Sequence, residues 1–213
     1  MNEKRKLIGV LIFPVSFILT LWIVKIIESI FNIDFAYLGV YPLKISGLIG
    51  IITAPLIHSD YSHLTANTIP ALVLTGLLFY LYRGIAFKIF TLIYIISNIW
   101  LWTFAREAYH IGASGVIYGL AAFLAFSGFL RKHIQLSAVS LLIIFLYGGI
   151  IWGVFPYFLK EKNISWEAHL CGLLSGIILA FFFRREGPQR KRYDWEFDID
   201  EDENENNDPQ FNN

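Results

Sequence analysis

Cysteine is almost missing from the chain: Cys171 is the single one in 213 residues. No internal disulfide can form, and no cysteine pair marks a zinc or redox site. Cys171 lies in an apolar run and reads as a small packing residue. Charge is scarce too, at 16% of residues, where soluble domains carry about 25%. Acids are scarcest of all before Tyr193, because nine of the 17 lie beyond it. Residues 1–193 hold 17 basic side chains against eight acidic ones, so the neutral total hides a basic body and an acidic tail. What is abundant is apolar, 56% of the chain, above the usual 45–50% or so. These proportions exclude an ordinary soluble domain and read as a membrane protein, and the apolar segments that follow make it an all-α membrane protein. No cofactor and no nucleic-acid partner is expected.

A hydrocarbon core about 30 Å thick takes about 20 apolar helical residues to cross. Six segments qualify: Leu7–Ile27, Leu64–Tyr82, Ile85–Ala105, Gly112–Leu130, Leu136–Tyr157 and Trp166–Phe183. MNEKRK before the first apolar run resembles the start of a signal peptide. No small-residue cleavage site follows, and the run continues through Trp22 to Val24, so a retained span is expected. Basic residues collect in cytoplasmic loops. With the N-terminus inside, twelve basic residues fall on inner segments, against Lys44, Arg106, Lys160 and Lys162 outside and Lys25 near the outer end of span one. Both termini are therefore expected in the cytoplasm. The first outer connection, Phe31 to Ser62, is long and apolar but broken by Pro42, Gly47, Gly50 and Pro55, and predicts short helices in or on the outer leaflet. The acidic tail from Asp194 predicts disorder, and RREGPQRKR before it predicts contact with anionic head groups.

Spans two, four and six all start from the outer side, which brings their first turns to a similar depth. Span two begins SHLTAN, with His63 and Asn67 one turn apart on one face. Span four follows HIGASG, with Ser114 and, one turn on, Tyr118. Span six begins WEAHL, with His169. Taken singly, Ser114 reads as a cap or an interhelical hydrogen bond, Asn67 as glue between helices, and Tyr118 as packing. An intramembrane histidine is a functional hypothesis by default, and His169 alone fits a proton relay, a metal ligand or a base. A metal is disfavoured because no carboxylate or thiolate joins His63 and His169 at ligand spacing. His58, His110 and His133 lie in loops and read as surface residues. The pairs Gly115–Gly119 and Gly172–Gly176 allow spans four and six to pack closely, which would bring Ser114 to His169.

A serine hydroxyl becomes a nucleophile when an adjacent base takes its proton. His169 can do so and later protonate a leaving amine. Glu167 points to the opposite side of its helix, so a Ser–His dyad is expected, supported by Tyr118. His63, Asn67 and the Ser114 N–H are candidate donors to a tetrahedral oxyanion. Gly115 leaves room beside the nucleophile, and Gly112 allows a tight turn into the helix.

These pieces, HSDYSHLTAN, GASGVIYGL and AHLCGLLSG, resemble the rhomboid family of intramembrane serine proteases over roughly residues 35–185. The resemblance implies a six-transmembrane-helix rhomboid-like bundle, with Ser114 as nucleophile, His169 as base, His63 and Asn67 as oxyanion donors, and Tyr118 stacked on His169. It implies cleavage of single- or multi-span membrane protein substrates inside the lipid bilayer. One departure exists: the first outer loop has Gly50 to Ala54 (GIITA) where the family commonly carries a Trp-Arg pair. The expected organisation is residues 1–30 as N-terminus and first span, 31–185 as the rest of the core, and 186–213 as a cytoplasmic tail. Two other readings remain, a non-catalytic adaptor binding client helices and a small transporter with histidine relays. The adaptor would not need Ser114 and His169 together, and the transporter would need polar groups at the centres of spans one, three and five, which offer few.

Overall fold

The computed structural model describes residues 3–155 and 164–189. The acidic tail and the basic residues Arg190 to Arg192 lie outside them. The described residues form seven α-helices without strands: α1 (Glu3–Phe31), α2 (Gly50–Thr53), α3 (Tyr61–Leu81), α4 (Ala86–Phe104), α5 (Ser114–Leu130), α6 (Ile134–Tyr147) and α7 (Trp166–Phe182). Stretches Ile8–Phe31, Tyr61–Leu81 and Ala86–Phe104 are long and apolar enough to cross a membrane, while α5, α6 and α7 are apolar but shorter.

The starts of α3 and α7 follow from side-chain caps. Asp60 accepts the backbone N–H of His63 at 2.8 Å, so α3 begins three residues before the expected Leu64. Ser165 accepts the N–H of Ala168 and starts α7 where expected. The expected span Leu136–Tyr157 is corrected. Its α-helix stops at Tyr147, and a 3-10 segment runs from Gly148 to Val154. Two successive glycines, Gly148 and Gly149, weaken the α-helix there. Fourteen residues of α-helix reach about 21 Å, and the seven 3-10 residues add about 14 Å.

α5 is the centre. Every residue from Gly115 to Ala125 is buried, as an all-apolar helix requires, and α3, α4, α6 and α7 surround it. Its tightest neighbour is α7. A Cβ on Gly172 would drive into the carbonyl oxygen of Gly115, and one on Gly176 into that of Gly119. The two glycine pairs thus face each other, as their spacing predicts. Polarity is arranged opposite to that of a soluble protein. Ile8, Ile12, Leu19 and Ile30 of α1 face outward, whereas Thr75, Ser97, Ser127, Ser140 and Ser175 are buried. A continuous apolar exterior of this kind suits lipid.

Between α1 and α3 the chain runs through short 3-10 turns and the single-turn α2, as the broken apolar stretch predicts. This loop is stitched to the one between α4 and α5. Val40 and His110 exchange two backbone hydrogen bonds, at 3.0 and 2.8 Å, and the Gly112 N–H donates to Ala54 O at 2.9 Å.

Candidate active site

Ser114 is the first residue of α5, and His169 lies in the first turn of α7. The close glycine contact between these helices leaves His169 Nε2 3.0 Å from Ser114 Oγ. His169 Nδ1 lies 2.8 Å from the carbonyl oxygen of Gly153. A carbonyl can only accept, so Nδ1 carries the hydrogen and Nε2 presents its lone pair to the Ser114 hydroxyl. Tyr118 stacks on the imidazole, ring centres 4.2 Å apart and planes within 5°. Gly153 sits in the 3-10 segment, where an added Cβ would strike the Tyr118 hydroxyl. Sequence reasoning missed Gly153, because the segment reads as plain apolar span; its signal was the cluster Gly148, Gly149 and Gly153.

The first turn of α3 faces the approach to Ser114. Gly112 has φ of +110°, a left-handed conformation that glycine tolerates, and a Cβ there would lie 2.8 Å from His63 Cε1 and 3.0 Å from Nε2. His63 is thus pressed against the backbone two residues before Ser114, and Gly112 is required both for the turn and for the space. Gly115 faces Ala168 O, which a Cβ would approach to 3.1 Å, so this glycine serves the contact with α7. Asn67 is buried, and its Nδ2 donates one hydrogen to His63 O at 2.9 Å, which leaves the second amide hydrogen for another acceptor.

Around His63 the charges are ordered. The Ser59 hydroxyl donates to Asp60 Oδ2 at 2.7 Å and lies 3.3 Å from His63 Nδ1. Since the Ser59 hydrogen goes to the carboxylate, Nδ1 is the donor in the second contact. The His63 backbone N–H holds the Asp60 carboxyl below its ordinary range, with the Ser59 hydroxyl adding to it. Asp60 therefore stays ionised.

Two loop histidines are not surface residues, which corrects the expectation for His58 and His110. Both are buried, at 1% and 2% exposure. His58 Nε2 accepts the backbone N–H of Ala113 at 3.4 Å, and its ring meets His63 edge-on with centres 5.0 Å apart. Burial, then the nearby His63, pushes the His58 pKa down to about 4. Lys25 Nζ clamps the same loop by donating to the carbonyls of His58 and Ser59 at 3.0 and 2.9 Å. His133 caps α6, accepting the Leu136 N–H at 3.5 Å. Glu167 turns away from His169, as its position two residues earlier predicts, and binds Arg106.

The Rhomboid domain family matches residues 46–186, a stretch holding every residue of this site. An uncharacterized protein of Mycobacterium tuberculosis is 36% identical over 185 residues, covering 83% of this chain and 75% of that protein. Another from Mycobacterium leprae is 32% identical over 183 residues, covering 83% and 71%. A Bacillus subtilis protein, YdcA, named as a candidate rhomboid protease, is 32% identical over 136 residues, covering 62% of this chain and 65% of its own.

Proposed function

We propose, for a chain that belongs to the rhomboid family, that it is a serine endopeptidase cutting transmembrane segments of other membrane proteins within the bilayer. The observation that carries this reading is the pair of contacts on His169, Nε2 to Ser114 Oγ at 3.0 Å and Nδ1 to Gly153 O at 2.8 Å. They leave the imidazole neutral on the side facing the hydroxyl, which is the state a general base needs.

In the first step His169 Nε2 takes the Ser114 proton as Oγ attacks the scissile carbonyl. The tetrahedral oxygen is stabilised by the Ser114 N–H at the positive end of α5, the second amide hydrogen of Asn67, and His63 Nε2. His63 donates there from the ring form that carries a hydrogen on Nε2. The protonated His169 then gives its hydrogen to the leaving amine, the acyl-enzyme forms, and a water activated by the same nitrogen releases the acid product.

Six spans form the scaffold in this reading, the α6 helix completing its crossing through the 3-10 segment. The site opens on the outer side of the cell membrane, and both termini lie in the cytoplasm, in keeping with the distribution of basic residues. Residues 1–30 then supply the N-terminus and first span, 31–185 the rest of the catalytic core, and 186–213 a cytoplasmic tail. Substrate segments with small or helix-breaking residues near the outer surface are the suitable ones, because a continuous helix keeps its carbonyls in hydrogen bonds. The test is fluorophosphonate labelling of detergent-solubilised protein. Labelling of the wild type that disappears in Ser114→Ala and falls steeply in His169→Ala is expected; a folded wild type that does not react, or equal labelling of all three, overturns the assignment.

A further inference from the structure

Four residues before each member of the Ser114–His169 pair, outside the helix that carries it, stands a second pair with the residue types exchanged. His110 precedes Ser114 by four residues, Ser165 precedes His169 by four, and His110 Nδ1 lies 2.7 Å from Ser165 Oγ. The proton arrangement follows from the neighbours. His110 Nε2 lies 3.0 Å from the carbonyl of Arg106, which can only accept, so Nε2 carries the hydrogen. Nδ1 is then the acceptor, and the Ser165 hydroxyl donates to it while Ser165 Oγ accepts the Ala168 N–H at 3.2 Å. One tautomer satisfies every bond in this chain. Burial also lowers the His110 pKa, in keeping with a neutral ring.

Both ends of the bridge are anchored. His110 is fixed by its two backbone bonds to Val40. The α7 end is held by Arg106, whose Nη1 donates to Glu167 Oε1 and Oε2 at 2.8 and 3.0 Å and whose Nη2 donates to Ile164 O at 3.2 Å. Glu167 is buried, and Arg106 is half-exposed at the rim. The glycine seam brings the backbones of α5 and α7 into close approach, and the His110–Ser165 bond ties the two helix starts together beside it.

We propose that His110 and Ser165 are positioning residues: their hydrogen bond, braced by Arg106 and Glu167, sets the register of α7 against α5 and so brings His169 Nε2 to Ser114 Oγ. Neither residue touches the reacting atoms. The inference rests on the serine-protease reading above and adds to it the device that sets the dyad distance. A displacement on the order of 1 Å at a reacting pair costs about 100-fold in rate, so a modest slip suffices.

The experiment is time-resolved fluorophosphonate inactivation of the full chain in detergent, giving the maximal rate and the half-saturating concentration, alongside thermal unfolding. Ser165→Ala is expected to lower the maximal rate by about 10- to 100-fold, leave half-saturation unchanged, and keep a cooperative transition. Ser165→Thr, which retains the hydroxyl, restores the rate. His110→Asn leaves the Ser165 cap in place and serves should Ser165→Ala not fold. In the double variant the two losses do not multiply. Unchanged rates in the folded variants, or losses that follow the folded fraction and are not rescued by threonine, overturn the bridge while a reactive wild type keeps the protease reading. A folded but unreactive wild type overturns both.

Discussion

At His169 a backbone carbonyl does the orienting that a carboxylate does in a three-residue relay. Gly153 O fixes the tautomer, while Tyr118 fixes the ring plane. A carbonyl carries no net charge, so it orients the imidazole but stabilises the imidazolium less than an acid would. Serine, histidine and tyrosine at this site were legible in the sequence, because a one-turn spacing and a shared helix depth constrain them. Gly153 was missed, since it acts through its backbone carbonyl and its glycine cluster reads as small residues of an apolar span. His58 and His110 were misread for a related reason: loop position says nothing of burial when the loops fold back on one another. The burial of His58 gives a pH prediction. Its pKa is about 4 in the fold and about 6.5 unfolded, so between these values the unfolded chain binds more protons. Stability is fully present above about pH 6.5 and falls as the pH drops through that window, by up to about 1.4 kcal/mol per pH unit from this group. The thermal midpoint should decline from pH 7 to pH 5, and less steeply in His58→Asn, which removes the titration. Parallel declines in the two proteins would show that the ring is not held neutral.

Between helices the decisive contact is glycine against backbone. Gly172 lies so close to the Gly115 carbonyl that no side chain fits between them, and that closeness is what lets Ser114 and His169 share a hydrogen bond. Gly172→Val must separate α5 from α7. It should cost about 1–3 kcal/mol by overpacking and abolish fluorophosphonate labelling even in the fraction that stays folded. Gly76→Ala is the matching control, because nothing lies within 4 Å of a Cβ there, and alanine is the better helix former by about 0.5–1 kcal/mol. It should label at the wild-type rate with an equal or higher midpoint; a Gly172→Val protein that labels normally would mean that the two helices do not depend on this seam. The glycine spacing announced the seam in advance. It did not announce the break after Tyr147, because in the sequence Gly148 and Gly149 look like two more small residues of a span. Their effect depends on the last part of that segment turning toward α7, where Gly153 meets His169.

Across the whole molecule three acids of one end are tied to that end's own structure. Glu28 accepts the Phe35 N–H and pairs with Lys25, Asp60 caps α3, and Glu167 binds Arg106. The opposite end carries Arg83, Lys88, Arg131, Lys132, Arg184 and Arg185. Arg131 there is buried, donating to the carbonyls of Phe183 and Arg184 at the close of α7, so part of that positive charge holds helices together. Lys88 pairs with Glu186 at 3.3 Å, the exposed Arg184 and Arg185 suit anionic head groups, and the imbalance predicts which end faces the cytoplasm. The single native cysteine makes this testable. Cys171 is buried, so it should react slowly with a membrane-impermeant maleimide and leave an introduced thiol as the reporter. Asp34→Cys, exposed in the first loop, should be labelled on intact cells, and Arg185→Cys, exposed beyond α7, only after the membrane is opened. The reverse pattern would turn the molecule over and put Ser114 near the cytoplasmic face.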